Sequence, residues 1–228
     1  HVSLSKKALP IGLIIATVFS LSQLVSGHSS ANIVAEHQPA KLAALEGHYD
    51  TLAPADLYLL GWVNDEEQKV SGIKIPGGLS FLINFDFTTP VTGLNAFEKE
   101  DRPSQVNAVF QSYHLMVAMG LFFIGITLYA MYLWWKKKLF DTRWILWIFV
   151  FSVVLPQLAN QLGWIAAEMG RQPWVVYGLL RTADAISPSV NEHQILFSFI
   201  MFTFIYSILF FLFIYLLQKK IQKGPESQ

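Results

Sequence analysis

No cysteine occurs in the 228 residues. That excludes disulfides, thiolate metal ligands and a cysteine nucleophile, and it leaves the redox compartment undetermined. Charge is also scarce. Asp, Glu, Lys and Arg make up 14% of the chain, against about 25% in an ordinary soluble domain. Acidic and basic residues balance at 16 each, so bulk charge points to no nucleic-acid partner. There is no His-x-x-x-His pair, Gly-rich phosphate loop, Gly-x-Ser-x-Gly elbow or Asp/Asn calcium loop, which removes the common soluble-enzyme chemistries. No internal repeat or low-complexity tract is present.

Apolar residues fill the space, at 53% of the chain. They gather in runs at about residues 8–26, 107–135, 144–166 and 193–217. A helix needs roughly 20 apolar residues to cross the hydrocarbon core. The pattern predicts an all-α integral membrane protein of about four transmembrane helices, with a long outer loop between the first and second. Residues 1–26 hold the first span, 27–106 the outer loop, 107–217 three further spans and 218–228 a tail. Lys6 and Lys7, then Lys136, Lys137, Lys138 and Arg143, then Lys219, Lys220 and Lys223 fall on one side if the spans alternate. Positive charge in short loops marks the cytoplasmic side. Both termini are therefore expected on the cytoplasmic side of the cell membrane, with 27–106 and 167–192 outside.

Ser26-Gly27-His28 offers small residues for a signal-peptide cut. Removing the first run would spoil the charge pattern, so it reads as a span. The chain opens on His1 rather than Met and reads as a piece of a longer protein.

The outer loop is long enough to be functional. Residues 36–49 have helical composition. Residues 57–63 read as extended, and 64–67 as an acidic turn. Residues 73–75 and 79–87 look extended on either side of a turn at Pro76-Gly77-Gly78. In the second outer segment Arg171 and Arg181 run against the charge bias. They are expected to pair with Glu168, Asp184 or the acidic groups of a cofactor.

An ionisable side chain at the end of a span is costly and marks a functional site by default. Glu168 is such a residue. At about 100° per residue, Gln157, Asn160, Gln161, Trp164, Glu168 and Arg171 share one face of the third span. Lipid would leave those amides unsatisfied, so the stripe faces protein interior or a cofactor. Polar glue between helices is the competing account. Glu168 itself calls for an ion, a proton or a metal. In the second span, Tyr113-His-Leu-Met-Val-Ala-Met119 lies about two turns inside the outer end. On spacing alone Met116 is core filler, His114 is a hydrogen-bonded core histidine, and Lys41 and Glu46, five residues apart, are a solvated helix face.

Three strings take the reading further. Gly163-Trp-Ile-Ala-Ala-Glu-Met-Gly-Arg-Gln-Pro-Trp174 resembles the signature of subunit I of cytochrome bd-type quinol oxidases. Gln38-Pro-Ala-Lys-Leu-Ala-Ala-Leu-Glu46 resembles the quinol-loop motif of that family, in its short-loop form. Tyr113-His-Leu-Met-Val sits where the family has a haem-binding methionine. The resemblance covers nearly the whole chain but only the C-terminal half of a family member.

It implies a haem-containing terminal oxidase that oxidises membrane quinol, reduces oxygen to water and generates a proton motive force without pumping. Met116 would be an axial ligand of the low-spin haem b, since a thioether favours ferrous iron. Glu168 would be the carboxylate ligand of a high-spin haem, in a pair made of haem b and haem d. Arg171 would pair with propionates, and Trp164 would pack on a macrocycle. Lys41 would hold a quinol oxygen, and Glu46 would accept a proton. His114 would stand beside the cofactor, at a position where many relatives carry arginine. The remaining haem ligands and the acidic proton path belong to earlier helices in relatives. The implied partners are the N-terminal half of subunit I, a second membrane subunit, a small accessory single-helix subunit, quinol and oxygen. Two other classes of protein compete with this reading. One is a transporter or channel segment with Glu168 as its ion site; the other is a purely structural subunit in which Glu168 and Arg171 simply pair.

Overall fold

The computed structural model describes residues 2–224. The chain forms two compact units, one of residues 4–184 and one of residues 1–3 with 185–228. The second unit carries helix α7, Glu192–Lys223. It is apolar on every side, the composition of a membrane span, and Asn191 and Gln194 cap its start reciprocally.

In the larger unit α1 runs Val2–His37, about 54 Å at 1.5 Å per residue. It therefore overruns a hydrocarbon core of about 30 Å. Its hydroxyls turn back on their own helix, Thr17 donating to Leu13 O and Ser22 to Val18 O, which satisfies them without water. The helix stops before Pro39, because proline disfavours helical backbone in the residue ahead of it. Pro39 then opens α2, Pro39–Glu46. Gly47, left-handed at φ 62°, closes α2 by donating to Ala43 O and Ala44 O.

Residues 57–75 form a hairpin, β1 (Leu57–Asn64) against β2 (Lys69–Ile75). The all-α expectation is corrected here: this hairpin and a second, β3 (Trp174–Val176) with β4 (Leu180–Arg181), are two-stranded antiparallel sheets. The inner face of β1–β2, with Val63 and Val70, packs in one core cluster with Ala43, Ala44 and Phe110.

Residues 79–87 are also corrected, from extended to a helix, α3, Gly78–Asn84. Apolar residues at 79, 81, 83, 85 and 87, interleaved with Ser80, Asn84 and Asp86, mimic a strand. Helix wins because Leu79 is buried with Leu42, Ala55 and Val91, and because Ser80 Oγ accepts from Ala55 N and donates to Thr89 O. Left-handed Gly77 and Phe85 bound it.

Helix α4, Val106–Trp135, is the axis of the unit. Its first turns, with Val106, Val109 and Phe110, carry the loop core. Its last turns, with Ala130 and Leu133, pack on Leu13 of α1 and on Leu139 and Ile145. The third expected span is two helices, α5 (Arg143–Phe151) and α6 (Leu155–Gly170), bent by 43°. Pro156 explains the break: it lacks an N–H and its ring collides with the carbonyl four residues back. Among the described residues three helices are long and apolar enough to cross a membrane, and the bent α5–α6 pair makes a fourth if it counts as one span. The protein is thus a multi-pass membrane protein.

The hairpin allows a direct check. A Cβ on Gly72 would lie 2.0 Å from Leu60 O, so Gly72→Ala must shift backbone. The expected cost is about 1–3 kcal/mol, read as a lower melting temperature and faster proteolysis at residues 57–75. Unchanged melting and cleavage would mean that the hairpin does not pair as described.

Candidate functional site

Helix α2 builds the site. Its residues Ala40, Leu42, Ala43, Ala44, Leu45 and Glu46 are all buried, and it packs on both α4 and α6. Two anchors fix its far end: His48 Nε2 lies 3.1 Å from Val91 O, and a Cβ on Gly47 would meet Val70 Cγ2 at 2.7 Å.

Glu46 is only 2% exposed, and its Oε2 has no hydrogen-bond partner. Across the gap stands His114 of α4, with Nε2 4.0 Å from that oxygen. The Tyr113 hydroxyl is a second neighbour. Burial pushes the Glu46 carboxyl from its ordinary 4.5 up to about 8, and the hydrogen bond from Tyr113 opposes the shift. His114 is held tightly. Nε2 is 2.7 Å from Tyr58 O on β1, Nδ1 is 2.9 Å from Phe110 O, and the ring stacks on Phe110. A neutral imidazole carries one N–H and can donate to only one of those carbonyls. With both nitrogens facing backbone oxygens, His114 is the hydrogen-bonded histidine that its position suggested, and it ties the hairpin to α4 beside Glu46.

Lys41 points elsewhere. Five residues along a helix turn two side chains about 140° apart at roughly 100° per residue. The Lys41 stem lies on α6, where a Cβ on Gly170 would be 3.3 Å from Lys41 Cγ. Burial lowers the Lys41 pKa, Arg171 lowers it further, and Glu168 opposes them. Glu168 and Arg171 form the ion pair expected of them, with Nη2 and Oε2 2.5 Å apart and both side chains partly exposed. Arg171 Nε is buried without a partner.

Met116 of α4 reaches α6 about two turns below Gly170, where a Cβ on Gly163 would sit 2.9 Å from its Sδ. Gly163 and Gly170, seven residues apart, lie on one face of α6 and admit the Met116 and Lys41 side chains.

Several sequence readings change. The solvated-face account of Lys41 and Glu46 fails, because Glu46 is enclosed and Lys41 is half-buried. The two residues also face different helices. Gln157, Asn160, Gln161 and Trp164 are exposed, so the interior of the larger unit does not satisfy the stripe. Arg181 pairs with Asp101 and Glu100 and lies over Trp174, not with Glu168 or Asp184. Tyr113, the Tyr58 carbonyl and the two α6 glycines were missed as site members. The repeat of small residues at 163, 166, 167 and 170 was the available signal.

Glu46 gives a linkage prediction. Its folded pKa lies above its ordinary value, so the folded state binds more protons between pH 4.5 and about 8. Its contribution to stability is full below 4.5 and is lost as pH rises through about 8. Melting temperature measured against pH should fall across that window in the parent and lose that component in Glu46→Gln. Parallel curves would place Glu46 in water.

Comparison with known proteins follows the same residues. A family model described as cytochrome bd terminal oxidase subunit I matches residues 1–225. The chain is 35% identical over 231 residues to the cytochrome bd ubiquinol oxidase subunit 1 of Bacillus subtilis (strain 168), covering 97% of this chain and 49% of that protein. It is 27% identical over 287 residues to the cytochrome bd-II ubiquinol oxidase subunit 1 of Escherichia coli (strain K12), covering 97% and 56%. The solved bd oxidase from Geobacillus thermodenitrificans matches with a TM-score of 0.78 at 30% identity, over 96% of this chain and 50% of that one. The chain spans about half the length of the relatives it matches. With the family model running almost end to end and the fold shared, this chain belongs to the cytochrome bd terminal oxidase subunit I family.

Proposed function

We propose that this chain is the quinol-oxidising and haem-ligating portion of a quinol:oxygen oxidoreductase. The observation that carries the reading is the buried Glu46 carboxyl with an open oxygen, set beside Tyr113 and His114 on the helix that bears Met116. A carboxyl with a pKa of about 8 is mostly protonated at neutral pH and half ionised only near pH 8, so it can take up and release a proton within that range. That suits a group that takes a proton from a quinol hydroxyl and passes it to the outer aqueous phase.

The residues fit haem. Met116 offers a thioether between α4 and α6. Glu168 offers a partly exposed carboxylate. Arg171 keeps a buried N–H without an acceptor, as a carboxylate-bearing cofactor would need. The uncovered stripe with Trp164 gives an aromatic and polar face. Met116 would ligate the low-spin haem b, and Glu168 a haem of the high-spin pair, haem b or haem d. When bound, the haems supply one-electron acceptance from quinol and the reduction of oxygen. This chain's part is to seat quinol, take its proton at Glu46 Oε2, hold the hairpin through His114, and fix Met116 against Gly163.

Two quinols and one oxygen give two quinones and two waters. Proton release outside with proton uptake inside builds membrane potential without a pump. On this reading the lysine-rich ends of the spans are cytoplasmic and the loop 27–106 is outside. The remaining ligands come from the N-terminal half of subunit I, and a second membrane subunit and a small accessory helix complete the complex. The relatives are oxidase subunits, and the transporter reading finds no support among them.

A dithionite-reduced minus oxidised spectrum of the complex containing this chain tests the proposal. Haem b bands with a red-shifted chlorin-type band are expected, and a featureless spectrum would end it. Met116→Leu should remove the low-spin signal while the complex still assembles; an unchanged low-spin band would refute the ligand assignment. Glu46→Ala should lower quinol oxidation by roughly 10²–10⁴-fold with haem content intact. Normal turnover in that variant would free Glu46 of the role.

A further inference from the structure

We infer that α3 and the turn after it dock on the lipid bilayer, with the phenyl rings of Phe81, Phe85 and Phe87 seated in the headgroup layer where α1 leaves the hydrocarbon core. The inference rests on α1 being a membrane span and uses neither the haem nor the quinol assignments.

Helix α1 sets the depth. Its apolar run ends near residue 26, yet the helix continues to His37. His28 lies two residues past the run, about 3 Å at 1.5 Å per residue. The headgroup layer is about 5–8 Å deep on each side of the core, so His28 stands within it. Asn32 Nδ2 lies 3.2 Å from His28 Nε2 and steadies that ring. The Phe85 ring meets His28 edge-on at 5.3 Å, Phe81 is 6.0 Å from Phe85, and Phe87 stacks on Phe81 at 5.1 Å. An aromatic row therefore runs from α1 across α3 at the level of the interface.

The row is held with its apolar side out. Phe85, Phe87 and Phe81 are 69%, 53% and 46% exposed. Phe85 is left-handed at φ 53°, a conformation that bulky residues rarely adopt. Its N–H donates to Phe81 O and keeps the turn there. Gly77 clears room for the next ring, since a Cβ would lie 2.8 Å from Phe87 Cδ1. A strained backbone that presents an apolar ring to water gains nothing from water, and such outliers point to function. Asp86, between two of the rings, is turned back on Thr88 and Thr89. No Lys or Arg occurs from 75 to 98, so ring burial rather than attraction to anionic headgroups drives the docking. An exposed patch of this kind marks a protein or a membrane contact. A protein could cover it at any height, whereas its register with the end of the α1 run is what a lipid interface requires.

The absence of cysteine from this chain makes spin labelling a direct test. The intact complex carrying Phe85→Cys is labelled with a nitroxide and reconstituted into phosphatidylcholine vesicles. The unsubstituted complex treated alike supplies the background. Glu66→Cys, on the exposed hairpin turn, is the aqueous reference. Oxygen, which concentrates in lipid, should relax the label at 85 several-fold more than a water-soluble nickel chelate does, with the order reversed at 66. Phe81→Cys gives the same reading if Phe85→Cys fails to assemble. A label as open to nickel as the one at 66 would put the row in water and overturn the inference. A label shielded from both reagents would assign the patch to a protein partner and overturn it equally.

Discussion

Helix α2 has eight residues and is buried along most of its length, and its terminal carboxyl is buried with it. A segment this short is marginal alone in water, so tertiary packing makes it a helix. Pro39 opens it, left-handed Gly47 closes it, and Gly170 on α6 lets it approach. Enclosure raises the proton affinity of Glu46. Enclosure also fixes Lys41 against Gly170 and sets the hairpin over Phe110. If α2 lifted away, Glu46 would become an ordinary surface acid and Lys41 an ordinary surface cation.

The membrane imposes the second constraint. Backbone polar groups must be paired within the span, so the spans are helices and their hydroxyls bond back to their own carbonyls. Pro156 breaks one span into α5 and α6 at 43°. The polar face of α6 is then left uncovered within the larger unit. An exposed row of amides, an indole and an ion pair is costly against lipid, so this face calls for polar or aromatic partners.

Particular residues show where sequence reading succeeds and where it stops. Long apolar runs at α1, α4 and α7 are legible because a span needs length and low charge, both written in one dimension. The strand reading of 57–63 holds for the same local reason. Residues 79–87 mislead because an alternating apolar pattern suits a strand, while burial of Leu79 and the paired bonds of Ser80 favour a helix. The family motifs point to Met116, Glu168, Lys41 and Glu46, yet spacing alone would have left Lys41 and Glu46 in solvent.

Composition, run length and motif order by themselves determined a multi-pass helical membrane protein of a known oxidase family, because hydrophobic periodicity and capping chemistry act over neighbouring residues. Only the tertiary structure decided that Glu46 is enclosed beside His114 and Tyr113, that Lys41 faces Arg171 and Glu168, and that Met116 rests on Gly163. Those placements depend on the close approach of α2, α4 and α6, elements whose contacting residues lie up to about 130 positions apart. Burial between distant segments is a property of packing, which no local pattern encodes.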